Sequence, residues 1–288
     1  MVAPLAGRRH NPFGAGGVIL VFGQSGQVAR ALQPYTQVWC FGRNRVDFMY
    51  PGQADQVIRA YHPKAVINAA AYTDVDGAEA DVDTAMQLNA HAVAEMAQTC
   101  ATLGIPLVHI STDYVFDGSG DAPWNVTDDP APINAYGRSK WAGEKSVQAA
   151  GGPHVILRTS WVFSNTGSNF VTTMRRLAQT RDHIGVVSDQ IGGPTPADAI
   201  AAACINIADQ LRQDISKTGT YHFAGTPNVS WADFARVILG GMGSACRVDD
   251  ITGAQYPRAA ARPKNSKLNC TTLQRSFGIE KPSWKLSL

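Results

Sequence analysis

Residues 18–32, "VILVFGQSGQVARAL", place a run of apolar residues before a glycine-bearing turn and a helical segment. The apolar run has the length of a buried strand, and the residues from Gln27 onward have the apolar spacing of a helix. Gly23 and Gly26 have G-x-x-G spacing, which lets a backbone approach a pyrophosphate at a helix N-terminus. A tight strand-to-helix turn that binds nothing has the same glycines. The place of this turn, after the first strand, favours nucleotide binding.

The same rhythm continues along the first half of the chain. Apolar runs in "QVWCF", "AVINAA" and "IPLVHIS" alternate with helical segments in "ADQVIRAYH" and "VDTAMQLNAHAVAEMAQTCATLG". This alternation predicts right-handed βαβ units and an α/β fold with a doubly wound parallel (Rossmann) sheet. After about residue 165 the segments are mixed. We predict a flexible arm over 1–17, a dinucleotide-binding Rossmann domain over 18–165, and a smaller α/β, mainly substrate-binding domain over 166–288, some of whose segments return to the sheet.

Composition excludes several classes of protein. The 288 residues are 44% hydrophobic and 17% charged, with a net charge of +2 and a single short basic block, "RRH" at 8–10. No nucleic-acid or membrane partner is expected from this balance. No apolar stretch has the length of a membrane span. The five cysteines are odd in number and far apart, which indicates free thiols in a reducing cytoplasm.

The end of the second predicted strand reads "CFGRNR" and suggests the choice of cofactor. Sites that prefer NAD carry an acidic residue there, whereas this chain has Arg43 and Arg45. Arginine binds a 2'-phosphate through charge-assisted bonds, so we expect NADP(H) to be preferred, with NAD(H) as the alternative. A solvent-facing arginine pair is the competing interpretation. Asp47 and Phe48 are candidates to flank the adenine.

Two further segments, "STDYVFDG" (111–118) and "YGRSK" (136–140), carry reactive side chains. Tyr136 and Lys140 are four residues apart on one predicted helix and therefore share a face. An ammonium beside a phenol lowers the phenol pKa toward the working range. With the strand-end hydroxyls of Ser111 and Thr112, they form a cluster suited to donating hydrogen bonds and a proton to a carbonyl oxygen. Alone, Y-x-x-x-K is common and is compatible with two surface residues.

Seven segments in order resemble the extended short-chain dehydrogenase/reductases, and most closely their dTDP-4-dehydrorhamnose reductase branch: "FGQSGQVA", "VINAAAYTDVDGAE", "STDYVFDG", "PINAYGRSKWAGEK", "RTSWVF", "NFVTTM" and "RPKNSKL". They cover the chain from Val18 to near the C-terminus. The resemblance implies NADPH-dependent reduction of the C4 ketone of a dTDP-6-deoxy-4-ketohexose, with dTDP-4-dehydro-L-rhamnose as the expected substrate. It also implies a monomer or a homodimer.

The resemblance assigns roles to individual residues. As catalytic residues it implies Thr112, Tyr136 and Lys140, with Asn89 organising a water path behind the lysine; a core amide satisfied by backbone is weighted equally for Asn89. The implied cofactor residues are Gly23, Ser25, Gly26, Gln27, Val28, Arg43, Asp47, Phe48, Ala69, Ala70, Ala71, Thr73 and Lys140. The implied substrate residues are Ser111, Asp113, Tyr114, Tyr136, Trp161, Asn169 and Arg262. For Trp161, a flat face for the sugar competes with a core aromatic at a domain junction.

The chain departs from the patterns of related proteins at two places, and each departure bears on its function. Some members of the branch use glutamates for a metal-linked dimer, but Ala31 stands at the expected place in the first helix, so no metal is expected. Related dehydratases carry Asp-Glu where this chain has Asp113 and Tyr114, which favours plain carbonyl reduction. Two alternatives stay open: a reductase of a different 4-keto sugar nucleotide, and a non-catalytic NADP-binding regulatory subunit resembling the β subunit of methionine adenosyltransferase.

Overall fold

The computed structural model describes residues 17–288, so the arm predicted for 1–17 lies outside the described residues except for its last residue. The strands are β1 (Ile19–Phe22), β2 (Val38–Phe41), β3 (Ala65–Asn68), β4 (Leu107–Thr112), β5 (His154–Thr159), β6 (Val162–Phe163), β7 (His183–Val187), β8 (Ile191–Gly192), β9 (Thr195–Pro196), β10 (Gly219–His222), β11 (Val229–Ser230), β12 (Arg247–Ile251) and β13 (Asn265–Ser266). The α-helices are α1 (Gln27–Leu32), α2 (Gln53–Tyr61), α3 (Gly77–Ala80), α4 (Val82–Met86), α5 (Ala92–Leu103), α6 (Ala135–Ala150), α7 (Phe170–Leu177), α8 (Ala197–Gln213), α9 (Trp231–Gly241) and α10 (Thr271–Phe277).

The central layer is a six-stranded sheet in the order β2-β1-β3-β4-β5-β10, and every pairing in it is parallel. The chain moves outward from β1 to β2, then returns to place β3 on the other side of β1. The strand order therefore reverses at β1, and the crevice at the carboxyl ends of β1 and β3 is where ligands bind in folds of this kind. This confirms the predicted doubly wound parallel sheet.

Both faces of the sheet are covered, which explains why its strands are continuous apolar runs. Ile19 and Val21 of β1 face a core that they share with Ile200 of α8. Leu20 and Phe22, on the opposite face, pack in a second core with Met96 of α5. Because successive strand side chains point to opposite faces, one apolar run supplies both cores.

The second half of the chain contributes to two layers. Helix α8 packs against the sheet, and β10 forms its edge beside β5. Helix α10 packs on β10 and α8 and belongs to the same layer. A smaller lobe contains the parallel pair β7 and β12, the short sheet β11-β8-β13, and a core around Phe163, Phe234 and Trp284. Segments after residue 165 thus occur in both layers, while the division at 165 itself stays a prediction.

Two further properties of residues 17–288 concern membrane-spanning helices and the state of the cysteines. No helix within residues 17–288 combines the length and the apolar character needed to cross a membrane. All five cysteine thiols are free, and three of them, Cys100, Cys204 and Cys270, are buried.

Candidate active site

The turn between β1 and α1 has the geometry of a dinucleotide cradle. Gly23 has φ of 117°, and a Cβ at this position would lie 3.1 Å from the carbonyl carbon of Ala69. Only glycine fits both constraints, because L side chains rarely adopt this φ. Helix α1 follows Gly26, and no side chain caps its first turn. The free N–H groups and the positive end of the helix dipole fit a pyrophosphate.

The residues after β2 fit the adenosine end of such a cofactor. Arg43 is 80% exposed, and its Nε lies 3.3 Å from Oδ2 of Asp47. Asp47 also accepts a hydrogen bond from the backbone N–H of Met49, so its carboxylate orders this loop. Phe48 packs edge-on against Phe22, with 5.4 Å between the ring centroids. Asp47 thus pairs with Nε of Arg43, and the other nitrogens of this exposed guanidinium can reach a phosphate.

The loop after β3, which carries Ala69, Ala70, Ala71 and Thr73, is held by two asparagine side chains. Asn68 accepts a hydrogen bond from the N–H of Ala70 at 3.1 Å. Asn89, buried in a π-helical turn (Gln87–His91), accepts from the N–H of Tyr72 at 2.9 Å and donates to its carbonyl at 3.0 Å. Its second donor reaches the hydroxyl of Ser139 at 2.9 Å. These bonds favour the backbone-satisfied interpretation of Asn89.

Two predicted cofactor residues follow Gly26 on α1. The Gln27 amide donates to the carbonyl of Val162 at 3.1 Å and accepts from the hydroxyl of Ser164 at 3.1 Å. The Val28 side chain lies in the core beneath the sheet, whereas Ser25 is exposed in the turn. For Gln27 and Val28, the backbone N–H is therefore the group that faces a pyrophosphate in this arrangement.

The cluster of hydroxyl, phenol and amine predicted from the sequence assembles where β4 meets α6. The Thr112 hydroxyl accepts from the N–H of Tyr114 at 3.2 Å, and it lies close enough to the Tyr136 phenol to lower the phenol's pKa. Lys140, 2% exposed, donates from Nζ to the carbonyl of Ile110 at 2.8 Å. The rings of Tyr114 and Tyr136 meet edge to face at 5.7 Å.

Helix α6 has two caps that fix its first turn, which carries Tyr136. Asn134 is the N-cap, and its Oδ1 accepts from the N–H of Gly137 at 2.7 Å. Glu79 of α3 accepts from the N–H of Ala135 at 2.7 Å. Both bonds satisfy amides that a helix start leaves open, and they flank Tyr136 in sequence. Glu79 has a positioning contact that the sequence analysis did not single out, although it lies within the family segment "VINAAAYTDVDGAE".

Burial dominates the electrostatics of the cluster. It raises the pKa of Tyr136 to about 12, while the Thr112 hydroxyl lowers that pKa and Asp113 raises it further. Burial also lowers the pKa of Lys140 to about 8, against the opposing effect of the Glu144 carboxylate. The lowering of the Tyr136 pKa by Lys140 that the sequence suggested is not realised here, because desolvation of the phenol has the larger effect.

Ser111 contacts a buried ion pair. Its hydroxyl donates to Oε1 of Glu144 at 2.5 Å. Arg158 of β5 donates to Oε2 of the same carboxylate at 2.7 Å, and both charged side chains are almost fully buried. Sequence analysis missed this pair, although Glu144 lies in "PINAYGRSKWAGEK" and Arg158 opens "RTSWVF". The Ser111 hydroxyl is thus used within the protein, and its predicted sugar contact gains no support.

A cavity of about 740 Å³ begins at Tyr114, whose ring contacts that of Tyr136, and is lined for the rest by residues of the smaller lobe and its neighbouring loops. Tyr114 and Arg262 line it, together with the aromatic side chains of Phe170, Trp231 and Tyr256. Arg262 is fixed by Asp76, whose Oδ2 accepts from Nη2 of the guanidinium at 2.8 Å. The positive charge of Arg262 and the aromatic walls of the cavity suit a ligand with anionic and planar parts.

The structure places two predicted substrate residues at the edge of this region. The indole of Trp161 stacks on Trp231, with 3.6 Å between the centroids and 9° between the planes. Trp161 has φ of 50°, a left-handed conformation uncommon outside glycine, which its backbone bond to Thr195 helps to hold. Asn169 is the N-cap of α7, accepting from the N–H of Thr172 at 3.2 Å, and its amide donates to the Ser164 carbonyl. A capping role for Asn169 was not anticipated.

The fold and the cluster together define a nucleotide-binding oxidoreductase of the short-chain dehydrogenase/reductase class. Within the described part of the chain, no three His, Cys, Asp or Glu side chains are grouped to hold a metal ion.

Comparison with known proteins narrows this class. Residues 17–288 match the family model described as the RmlD substrate binding domain, and the chain belongs to that family. It is 41% identical over 279 residues to a dTDP-4-dehydrorhamnose reductase of Sinorhizobium fredii, covering 93% of this chain and 94% of the relative. Its identity to the enzyme of the same name from Escherichia coli strain K12 is 37% over 287 residues, covering 94% and 95% of the two chains.

Solved structures give the same result for the fold. A dTDP-4-dehydrorhamnose reductase from Bacillus anthracis in complex with NADP superposes with a TM-score of 0.87 at 34% identity, over 94% of this chain and 97% of that one. The Bordetella bronchiseptica enzyme WbmG, in complex with NAD and UDP, has a TM-score of 0.78 at 19% identity, over 95% and 93% of the two chains. The second likeness shows the shared fold alone.

Proposed function

We propose that the protein is a reductase that uses NADPH to convert the C4 ketone of a dTDP-6-deoxy-4-ketohexose to an alcohol, with dTDP-4-dehydrorhamnose as substrate. The single observation that carries this proposal is the Thr112, Tyr136 and Lys140 cluster at the carboxyl edge of a sheet whose first turn fits a dinucleotide. The reductases that share its family support the choice of substrate.

The raised pKa of Tyr136 suits a proton donor. With a pKa near 12 the phenol stays protonated at neutral pH, ready to give its proton to the more basic alkoxide that a reduced ketone becomes. Bound NADPH supplies the hydride that makes this alkoxide. The Thr112 hydroxyl is placed to hydrogen-bond the same oxygen. The chain's own contribution is therefore a proton and an oriented hydroxyl.

Lys140 supports the phenolate that remains after the proton has moved. It lies one helical turn from Tyr136, and its ammonium is fixed by the carbonyl of Ile110 at 2.8 Å. A pKa of about 8 leaves it mostly protonated at pH 7. A nearby cation stabilises the charged form of an acid, so Lys140 makes it easier for Tyr136 to give up its proton. It is also our proposed ligand for the nicotinamide ribose.

The exposed Arg43 supports preference for the phosphorylated cofactor. Arg43 stands after β2, where sites that prefer NAD carry an acidic side chain. Its guanidinium can bind the 2'-phosphate in a bidentate manner. The related Bacillus anthracis structure, in complex with NADP, agrees with this choice. NAD(H) remains the weaker expected cofactor. A cytoplasmic protein, monomeric or homodimeric, is part of the same proposal.

One experiment separates the reductase from the non-catalytic regulatory subunit. Purified protein is incubated with NADPH and dTDP-4-dehydrorhamnose, the reduced-nicotinamide absorbance is followed, and the product is identified by mass. We expect consumption of one NADPH per sugar reduced. With dTDP-glucose, which carries no ketone, we expect neither NADPH consumption nor dehydration to a ketone, because Tyr114 stands where dehydratases carry glutamate. NADPH that binds and is not consumed with any 4-keto sugar nucleotide would favour the regulatory subunit.

A further inference from the structure

Asp113 has a buried carboxyl that the proposed reaction does not yet explain. It follows Thr112 at the end of β4 and is 3% exposed. Its Oδ1 accepts from the Thr112 hydroxyl at 3.2 Å. The Ser266 hydroxyl faces the carboxyl, yet Oδ2 has no partner at normal hydrogen-bonding distance within residues 17–288. A buried carboxylate usually has partners on both oxygens, because a charge without them is costly.

The hydrogen bonds of Thr112 depend on the proton of Asp113. A threonine hydroxyl has one proton to donate and two lone pairs to accept. One lone pair takes the N–H of Tyr114 at 3.2 Å. A charged Asp113 can only accept, so it takes the single Thr112 proton and leaves none for a substrate carbonyl oxygen. In the reactive complex the Tyr136 phenol points its proton at the substrate oxygen and leaves the second lone pair of Thr112 open. A neutral Asp113 can then donate to this lone pair, and the Thr112 proton is free for the substrate.

Building on the proposed reductase function, we propose that Asp113 is a positioning residue that acts through Thr112. Its neutral form turns the Thr112 hydroxyl toward the ketone oxygen of the substrate, and its charged form turns the hydroxyl away. The carboxyl itself does not touch the reacting atoms. The hydrogen-bond donor to the ketone is then present or absent according to one proton on a neighbouring side chain.

The surroundings of Asp113 allow this proton to change hands near neutral pH. Burial raises the pKa of Asp113 to about 7, with the hydroxyls of Ser266 and Thr112 and its own backbone N–H opposing the rise. In the folded protein Asp113 is therefore mostly neutral below about pH 7 and mostly charged above it. The activity that depends on the neutral form should therefore fall as pH rises through this value.

The other groups around Asp113 titrate elsewhere. Tyr114 and Tyr136 interact electrostatically with the Asp113 carboxyl. The packed elements also carry His109 on β4, which burial keeps neutral by lowering its pKa, the charged side chains of α6, and Arg262. Those of α6 are Arg138, Lys140, Glu144 and Lys145. Burial raises the pKa values of both tyrosines above their ordinary value, so both are neutral at pH 7. Lys140 is bonded to the Ile110 carbonyl and has a pKa of about 8, and Arg262 is paired with Asp76. Lys140 has the pKa nearest to that of Asp113, so the assignment of a pH-dependent loss of activity depends on a variant that changes Asp113 and keeps Lys140.

The test is the pH profile of kcat/KM for dTDP-4-dehydrorhamnose at saturating NADPH, in the wild type and in Asp113→Asn. The amide Nδ2 of asparagine can donate to Thr112 at every pH and so copies the neutral acid. Between about pH 6 and about pH 8 we expect wild-type kcat/KM to fall about tenfold and that of Asp113→Asn to fall less than about twofold. Asp117→Asn makes the same change in the same loop, where the carboxylate accepts from the N–H of Ser119, and should keep the wild-type slope.

Each contrary outcome is distinct. A wild-type slope in Asp113→Asn overturns the proposal, as does a folded, NADPH-binding Asp113→Asn that is inactive at every pH, since the charge would then be the needed form. A second variant, Thr112→Val, has no hydroxyl to turn, so its residual activity should lose the slope; a retained slope also overturns the proposal. If wild-type protein oxidises no NADPH with the sugar nucleotide at any pH, the proposed function itself has failed.

Discussion

At the scale of single residues, replacing the proposed proton donor Tyr136 is the most stringent test of the cluster. Removing the Tyr136 hydroxyl in Tyr136→Phe should lower kcat by about 10² to 10⁴, the range for loss of a general acid, with NADPH affinity changed less than about threefold. The measurement is steady-state kinetics together with NADPH fluorescence titration. Tyr256→Phe removes a hydroxyl from the cavity wall away from the cluster and is the control. A Tyr136→Phe variant with wild-type kcat would show that the proton comes from elsewhere.

Arg43 is the residue on which cofactor choice depends. In Arg43→Ala the kcat/KM ratio of NADPH to NADH should fall about tenfold, the low end for a charged hydrogen bond, because the side chain is 80% exposed and water screens the interaction. Arg45→Ala, whose guanidinium lies 5.5 Å from the centre of the Phe41 ring, is the comparison. An unchanged ratio in Arg43→Ala with a lowered ratio in Arg45→Ala would assign the phosphate to Arg45.

How much of the site could be predicted differs from residue to residue. The pairing of Tyr136 with Lys140 follows from helix periodicity, and Thr112 from its place at a strand end. The ionisation of Asp113 could not be predicted, because its cause is burial between segments more than 150 residues apart in sequence, around Asp113 and Ser266. The Asn169 cap, by contrast, has a local signal in "NFVT", with asparagine three residues before threonine.

At the scale of elements, the close approach of α6 to the π-helical turn should limit which residues α6 can carry. A Cβ on Gly143 would lie 2.1 Å from the backbone oxygen of Asn89, so Gly143→Ala must push the two elements apart. We expect a loss of about 1–3 kcal/mol in the free energy of unfolding. The same substitution at Gly240 of α9, where a Cβ would meet no atom of residues 17–288 within 4 Å outside the backbone of its own helix, should instead gain about 0.5–1 kcal/mol through helix propensity.

Thermal or denaturant unfolding of the two glycine variants measures this difference. A Gly143→Ala variant as stable as Gly240→Ala would contradict the packing described for α6.

The elements themselves were mostly predictable from the sequence, because strands buried on both faces are continuous apolar runs. The π-helical turn was not, because its residues belong to a helical pattern that continues from α4 into α5.

At the scale of the whole molecule, Asp76 joins the two layers across the cavity. Its Oδ1 accepts from the N–H of Ala260 at 3.0 Å and its Oδ2 from Arg262 at 2.8 Å. Burial raises the pKa of Asp76, but these bonds outweigh it and the net pKa is lowered. The carboxylate therefore contributes stability at neutral pH, and this contribution is lost as pH falls through the lowered pKa.

Loss of this charge should loosen the substrate side of the cavity and leave the cofactor turn intact. In Asp76→Asn we expect KM for the sugar nucleotide to rise about 5- to 20-fold, the effect of a weakened charged hydrogen bond, with NADPH affinity changed less than about twofold. Asp83→Asn, on the exposed face of α4, is the control. Equal losses of sugar and cofactor affinity would show a general folding defect instead.

The most direct measurement for the central claim is transfer of an isotope label. The protein is incubated with dTDP-4-dehydrorhamnose and NADPH that carries deuterium on the transferred position of the nicotinamide, and the sugar product is analysed by mass spectrometry and NMR. We predict one deuterium per product molecule, bonded to C4, with one equivalent of oxidised cofactor. A product without deuterium at C4, or bound NADPH that keeps its label while the ketone is unchanged, would contradict the account.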